Sequence, residues 1–253
     1  MKVLLADIWA SFTALTRLPL WRLKEVPPQH YQQITDHWSL VGWLTGGVMM
    51  GVLWLAGQVM PLFPALMLTF ISRILLTGAL HEDGLMDLFD GFGGGRTRQR
   101  ILEIMKDSHT GAYATIGFVC YALAWISLLS SFPLHLAILI VGVSDPLSKF
   151  IVSHLPMLLP YARKVEESKM QTIYRRRPPL YKWILSALFG LAPLLLLGCM
   201  SLALLLSALI AFLLLTLFLK RRLNGYTGDC IGALFLLTEV CCYLGAILFL
   251  SLS

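Results

Sequence analysis

Long apolar stretches alternate with short polar segments along most of the chain. They cover roughly residues 38–59, 62–80, 112–131, 134–154, 183–199, 202–219 and 233–251. Because about 20 helical residues cross the hydrocarbon core of a bilayer, each stretch is a candidate membrane span. The pattern predicts an all-α, polytopic integral membrane protein with about seven transmembrane helices, the first six paired by short uncharged turns into three hairpins.

The first 15 residues show a helical pattern that is too short and too mixed for a span. Apolar residues recur at spacings of three and four: Leu4, Leu5, Ile8, Trp9, Phe12 and Leu15. Lys2, Asp7 and Ser11 fall elsewhere on the same helical wheel. This segment is predicted to be an amphipathic helix that lies on the membrane surface, and a buried helix of the soluble type fits less well.

Composition supports the membrane assignment and excludes several other classes. Charged residues make up 13% of the chain and hydrophobic residues 57%, whereas a soluble domain carries about a quarter charged residues. The five cysteines are scattered without zinc-like or disulfide-like spacing, so we interpret them as small apolar helix residues. Residues 1–253 are expected to form one membrane-embedded catalytic domain.

Basic residues predict the orientation of the chain. Of the 20 Lys and Arg residues, only Arg73 and Lys149 fall within predicted spans; the rest lie in the N-terminal region and in loops 81–111, 155–182 and 220–232. The hairpin scheme puts these segments on one side, which the positive-inside rule makes cytoplasmic. The net charge of +6 therefore describes a membrane face and not a nucleic-acid surface. Loop 155–182 either contacts anionic lipid or steers a polyanionic substrate.

The second span is followed by an unusually dense acidic run, from His81 to Gly91. Four of the 14 acidic residues fall within nine positions: Glu82, Asp83, Asp87 and Asp90. On a helix the three aspartates, at i, i+4 and i+7, project within about 60° of each other, while Glu82 lies on a neighbouring face. Like charges so spaced repel one another unless a divalent cation holds them, so the run predicts a magnesium site for a phosphate. A solvated acidic face is the alternative.

Further candidate groups flank this run and occupy the last span. Gly93 to Gly95 and Arg96 suit phosphate oxygens, although contact with lipid headgroups explains them equally well. Lys106, Asp107 and His109 follow just before the third span. Asp229 lies at the mouth of the last span, with Glu239 roughly 15 Å deeper.

Charges predicted inside spans need partners, because an ionisable residue at mid-helix costs about 2.5–3.5 kcal/mol to insert. Arg73 is the predicted counterion of Glu239. Asp145 and Lys149 stand at i, i+4 and are predicted to pair.

Taken together, several motifs resemble those of the cobalamin synthase family, whose members are adenosylcobinamide-GDP ribazoletransferases. The matching segments are Thr16–Pro19, Gly78–Asp87, Asp90–Gly91, Leu102–Ser108, Thr227–Asp229, Gly232–Ala233 and Glu239. The resemblance implies a multi-pass enzyme of a prokaryotic cytoplasmic (inner) membrane, with its active site facing the cytoplasm. It implies that adenosylcobinamide-GDP is joined to α-ribazole or its 5′-phosphate, that GMP leaves, and that Mg²⁺ is required. Besides these substrates and the lipid bilayer, a homo-oligomer or association with other corrinoid-assembly enzymes is left open.

Each candidate residue then has an expected role. The expected metal ligands are Asp83, Asp87 and Asp90, with Glu82 as an alternative. The expected catalytic residues are Asp107, Asp229 and His109, as a base or as ligands of a second metal. The expected substrate-binding residues are Arg96, Lys106, Arg73 and Glu239.

The chain departs from the family pattern at three positions. Family members commonly have a hydrophobic residue where Glu82 stands, Arg where His109 stands, and often Arg where Asp145 stands. Two other functions compete with the resemblance. A CDP-alcohol phosphatidyltransferase-like enzyme also sets aspartates on a helix at a membrane mouth, but its D-G-x-x-A-R signature is missing after Gly84. A transporter or scaffold without chemistry would explain buried charges, but we see no inverted repeat of the acidic run.

Overall fold

The structure, a computed structural model, describes residues 2–163 and 177–252, and within these ranges the regular structure is helical. The first half contains α1 (Lys2–Leu15), α2 (Trp38–Gly57), α3 (Leu62–Thr77), α4 (Leu80–Gly94) and α5 (Arg98–Ile104). The second half contains α6 (Ala112–Ser130), α7 (Leu134–Val152), α8 (Leu155–Leu158), α9 (Leu180–Leu191), α10 (Met200–Leu223) and α11 (Gly228–Leu252). Short 3-10 segments cover Leu20–Arg22, Pro28–His37 and Ala192–Leu197.

Six helical stretches of the described residues are long and apolar enough to cross a membrane, and the bent pair α3–α4 would make a seventh. This confirms the predicted polytopic architecture. Pro61, Pro133 and Pro179 each directly precede a helix, where a missing N–H costs nothing. The predicted hairpins α2–α3 and α6–α7 therefore begin their second helices at prolines.

Helix α11 lies at the centre of the bundle, where it contacts α4, α6, α7 and α10. Helix α2 packs along α7, and Gly42 allows this approach because a Cβ there would lie 2.6 Å from the Cα of Pro146. Most of the outward-facing side chains of α10 are leucines, as expected for a surface in contact with lipid.

A sharp bend of 95° separates α3 from α4. Gly78 and Ala79 both have positive φ, 66° and 58°, so two successive left-handed residues end one helix and start the next. Glycine adopts this conformation without steric cost, whereas alanine costs about 1–2 kcal/mol. The backbone N–H of Arg17 donates to the carbonyl of Leu76, which ties the N-terminal region to this bend. As a result α4 runs across the bundle instead of continuing α3.

The helix predicted for the first 15 residues is present as α1, but its faces have different surroundings from those the pattern suggested. Val3 and Leu5 are 62% and 55% exposed, whereas Asp7 is fully buried. The carboxylate of Asp7 accepts hydrogen bonds from His30 Nδ1 and Lys182 Nζ, both at 2.5 Å. Burial alone would raise the pKa of Asp7, but Lys182 and His30 outweigh it and lower that pKa. Asp7 thus anchors α1 to the protein, while Val3 and Leu5 lie on the outer surface.

Polar contacts connect the basic segments to one another. Lys182 reaches Asp7, and the guanidinium of Arg98 donates to the carbonyls of Leu223 and Ala162 at 2.6 and 2.8 Å. Four segments therefore lie at the same end of the bundle: the N-terminal region, the α4–α6 connection, residues 160–163 and the α10–α11 connection. We call this end the charged face. Lys164, Lys169, Arg175 and Arg176 of the basic loop lie outside the described residues.

Candidate active site

The acidic run forms helix α4, as its spacing predicts. Asp83 is exposed, and Asp87 and Asp90 are partly exposed. The opposite face is buried, with Leu85 and Leu88 in the core. The three aspartates therefore share the outer side of a helix whose inner side packs on α11 and α6.

Asp90 also holds the start of helix α6. Its two carboxylate oxygens accept hydrogen bonds from the backbone N–H groups of Gly111 at 2.5 Å and Ala114 at 2.8 Å. These N–H groups have no partner inside α6, so a carboxylate from another helix replaces the usual N-cap side chain. Asp90 thus fixes α6 against α4, and a carboxylate oxygen can still accept a further bond or a metal.

Glu82 points away from the aspartates and into the protein. It is buried, its Oε1 lies 3.4 Å from Nη2 of Arg73, and among the described residues neither of its oxygens has a hydrogen-bond partner. The sequence predicted that Glu82 lies on a different face from the aspartates, and this is what the helix shows. Glu82 therefore faces the guanidinium of Arg73 inside the protein and is not a ligand at the outer face of α4.

Arg73 and Glu239 were expected to contact substrate, but both are buried beneath α4. Nη1 of Arg73 donates to Oε2 of Glu239 at 2.5 Å, which confirms the predicted ion pair. Nη2 of Arg73 donates to Tyr121, and the Trp125 indole donates to Glu239 at 3.2 Å. This buried cluster joins α3, α6 and α11 beneath α4.

The second predicted pair inside the spans is also present. Lys149 Nζ lies 2.5 Å from Oδ1 of Asp145, and both side chains are fully buried. Thr45 of α2 accepts from Lys149 and donates to Asp145 at 2.8 Å, so the pair also links α7 to α2. The charge of Asp145 is therefore neutralised within its own helix.

Helices α4 and α11 pack closely at Gly84. A Cβ on Gly84 would lie 2.8 Å from the carbonyl oxygen of Asp229 and 2.9 Å from its Cα, so only glycine fits. Thr227 accepts a hydrogen bond from the N–H of Cys230, and Asp229 lies in the first turn of α11. A carboxylate here is favoured by the positive end of the helix dipole. The fold thus brings the backbone of Asp229 against α4.

Lys106, Asp107 and His109 follow helix α5. The imidazole Nδ1 of His109 lies 2.6 Å from Oδ1 of Asp107, and these side chains are 91% and 57% exposed. The hydrogen bond with His109 lowers the pKa of Asp107, and the same bond raises the pKa of His109. Arg96 is likewise exposed, between α4 and α5. These residues lie on the charged face but are not enclosed.

A cleft of about 490 Å³ opens on the charged face beside this segment. Its lining residues are Arg98, Gln99, Leu102, Glu103, Lys106, Ala162 and Arg163. Nη1 of Arg163 lies 3.7 Å from Oδ2 of Asp229, so one wall of the cleft touches the start of α11. Sequence reasoning missed Arg98 and Arg163 as individual site residues. Their contacts join segments 61 to 125 residues apart and leave no local pattern.

The fit of a magnesium ion to α4 can be judged from its donor groups. No group of three His, Cys, Asp or Glu residues in the described ranges is close enough to hold a metal by itself. However, Mg²⁺ commonly takes only one or two carboxylates together with substrate phosphates and water. Asp83 and Asp87 are hard oxygen donors one helical turn apart on an accessible face. The residues fit a magnesium ion that the substrate helps to bind.

Comparison with known proteins gives one consistent result. Residues 7–247 match the family model described as cobalamin-5-phosphate synthase. A relative from Shewanella oneidensis named adenosylcobinamide-GDP ribazoletransferase is 33% identical over 90% of this chain and 88% of its own. Relatives of the same name from Leptothrix cholodnii and Leptospira interrogans are 35% and 30% identical, over 97% and 93% of this chain and 97% and 92% of their own. No solved structure matches.

Proposed function

Because the chain belongs to the cobalamin-5-phosphate synthase family, we propose that it acts as an adenosylcobinamide-GDP ribazoletransferase of cobalamin synthesis that requires Mg²⁺. In this reaction a hydroxyl oxygen of α-ribazole, or of its 5′-phosphate, attacks the diphosphate phosphorus on the cobinamide side. The bond from that phosphorus to the bridging oxygen breaks, and GMP leaves. The products are adenosylcobalamin, or its 5′-phosphate, and GMP.

The observation that carries this proposal is the crossing of α4 over the first turn of α11. At this crossing Gly84, which follows Asp83 in the chain, lies against the backbone of Asp229, so the helix that carries Asp83, Asp87 and Asp90 contacts the first turn of α11. A bound Mg²⁺ would supply positive charge to the diphosphate and to the departing GMP phosphate. Asp83 and Asp87 would hold that ion, with Asp90 completing the face while it caps α6.

The chain's own residues supply positioning and proton transfer. We propose Asp229 as the group that accepts the proton of the attacking hydroxyl, because it lies next to α4. The exposed pair Asp107–His109 is the alternative. Arg96 and Lys106 are proposed to hold phosphate oxygens as hydrogen-bond donors. We also propose that the charged face is cytoplasmic, since its basic residues follow the positive-inside rule and nucleotides are found there.

The test of the function is a product assay on the full chain purified in detergent. We expect GMP release when both adenosylcobinamide-GDP and an α-ribazole acceptor are present, and we expect release to stop when EDTA removes divalent metal and to return with Mg²⁺. A parallel reaction with CDP-diacylglycerol and an alcohol tests the phosphatidyltransferase alternative, whose product would be CMP. Absence of GMP with both substrates and Mg²⁺ would contradict the proposal.

The choice of base gives a separate prediction. Asp229→Asn is expected to lower kcat by about 10²–10⁴-fold, the usual contribution of a positioned general base. Asp107→Asn is expected to lower kcat much less, because that carboxylate is exposed and pairs with the exposed His109. Steady-state kinetics of the two variants under saturating substrates and Mg²⁺ make the comparison. A collapse of kcat in Asp107→Asn with Asp229→Asn near wild type would transfer the role to Asp107.

A further inference from the structure

We propose that the cleft between α5 and residues 160–163 binds the 5′-phosphate of the acceptor α-ribazole 5′-phosphate, with Arg163 and Lys106 as its donors. This inference rests on the proposed function, since it assigns one of the two substrates to a place. It also makes Arg163 a residue that determines acceptor preference.

The strongest observation is that the guanidinium of Arg163 is buried but incompletely hydrogen-bonded. Its side chain is only 4% exposed, yet it lines the cleft. One terminal nitrogen lies 3.7 Å from Asp229 and the other donates to the carbonyl of Leu102 at 3.4 Å. Its Nε has no hydrogen-bond partner within the described part of the chain. Both terminal contacts are long, and an unpaired buried donor costs free energy. A phosphate oxygen at the cleft wall would satisfy this guanidinium.

Hydrogen bonds to the preceding residues fix the position of Arg163. The N–H of Tyr226 donates to the carbonyl of Pro160 at 3.0 Å, and the N–H of Ala162 donates to the carbonyl of Tyr226 at 2.8 Å. The guanidinium of Arg98 also donates to the carbonyl of Ala162. These bonds hold residues 160–162 against the start of α11 and so fix the backbone that carries Arg163. A preorganised donor is the type of group that gives affinity for a phosphate.

The charge of the cleft suits an anion more than a metal. Arg98, Lys106 and Arg163 line it, and among the described lining residues Glu103 carries the one carboxylate. Glu103 lies 3.3 Å from the guanidinium of Arg100, which offsets its charge. Arginine and lysine are the usual donors to phosphate. The cleft therefore fits a phosphate monoester that binds without a metal.

The size and location of the cleft favour binding of the acceptor substrate over binding of adenosylcobinamide-GDP. A volume of about 490 Å³ falls in the range of about 300–1,000 Å³ typical of small-molecule sites. A corrin with its attached nucleotide is far larger than a drug-sized ligand. The donor's diphosphate is moreover assigned to the carboxylate face of α4. Because Arg163 touches both the cleft and Asp229, an acceptor held here would lie next to the proposed base.

The experiment compares two acceptors, α-ribazole 5′-phosphate and α-ribazole, in four forms of the full chain. These are wild type, Arg163→Gln, Lys106→Gln and Arg221→Gln. We expect KM for the phosphorylated acceptor to rise about tenfold or more in Arg163→Gln, since a hydrogen bond to a charged group is lost. Lys106→Gln should show a smaller rise in the same direction. KM for α-ribazole should change less than about twofold, because that acceptor lacks the phosphate. Arg221→Gln removes an exposed charge of the same face outside the cleft and should leave both values unchanged.

Several outcomes would overturn the inference. An equal rise in KM for both acceptors would mean that Arg163 acts through Asp229 or on adenosylcobinamide-GDP. Unchanged KM values would mean that the acceptor does not bind in the cleft. If Arg163→Gln does not fold, Lys106→Gln carries the same comparison.

Direct binding separates this inference from the proposed function. Calorimetry of α-ribazole 5′-phosphate on the full chain in detergent should give a Kd that weakens in Arg163→Gln and much less in Arg163→Lys. Weakened binding of this kind would support the cleft even if wild type released no GMP. Binding unaffected by Arg163→Gln would refute the cleft even if GMP were released.

Discussion

Asp83→Asn and Asp87→Asn are expected to abolish turnover while leaving the protein inserted and folded. Both side chains lie on the outer face of α4, and neither belongs to its buried face. Each substitution keeps the shape of the side chain but removes the negative charge that would hold Mg²⁺. A loss of about 4 kcal/mol in transition-state stabilisation corresponds to roughly 1,000-fold in kcat/KM. GMP release measured across a magnesium titration provides the test, and thermal unfolding in detergent checks the fold.

Glu25→Gln is a suitable control for these variants. Glu25 is an exposed carboxylate of the N-terminal region and has no place in the proposed site. It should retain wild-type activity and the same magnesium dependence. Asp90→Asn is less informative, because Asp90 also accepts the first N–H groups of α6 and its loss combines chemistry with stability. Wild-type activity in either Asp83→Asn or Asp87→Asn would rule out the proposed metal site.

The second large effect is expected in the buried cluster beneath α4. Arg73→Met should destabilise the protein by about 3–5 kcal/mol, the usual cost of removing one partner from a buried ion pair. The carboxylate of Glu239 would lose its 2.5 Å partner, and Glu82 would lose the cation that lies 3.4 Å away. Unfolding of the detergent-solubilised protein by heat or by denaturant measures this loss of stability.

Glu82→Leu should leave the stability of the protein nearly unchanged, although it removes a charge from the same cluster. The two oxygens of Glu82 lack hydrogen-bond partners among the described residues, while Arg73 keeps its 2.5 Å bond to Glu239. Replacing such a charge by a packed apolar side chain is often neutral or stabilising. We expect a free energy of unfolding within about 1 kcal/mol of wild type and an unchanged magnesium dependence of activity. Equal damage by Glu82→Leu and Arg73→Met would show that Glu82 is an essential partner of Arg73.

Local spacing made parts of the site predictable from the chain. Asp83, Asp87 and Asp90 share a helix face because i, i+4 and i+7 positions do so on any α-helix. Asp145 and Lys149 pair for the same reason. The pairing of Arg73 with Glu239 is not local, but few other charges lie inside the spans, and a buried charge needs a partner. These inferences needed only helix geometry and the free energy of transferring charge into a bilayer.

Contacts between distant segments could not be inferred in this way. Asp7 of α1 was expected only to lie apart from the apolar positions, and its burial against Lys182 depends on where α9 begins. The bend after Thr77 depends on two left-handed residues, of which only glycine signals this conformation in sequence. Arg98 binds two backbone carbonyls, and every residue has such a group, so no sequence pattern marks its partners.

The sequence by itself determined that this is a helical membrane protein, which end of it is charged, and which helix carries the acidic face. Hydropathy and helical periodicity are properties of neighbouring residues, and the bilayer and the α-helix translate them directly into structure. Only the tertiary structure decided that Glu82 faces Arg73, that Asp229 lies against α4, and that Arg163 closes a cleft beside Asp229. These relations depend on the packing of helices far apart in the chain, where the close approach at Gly84 and the carbonyls bound by Arg98 fix the relative positions.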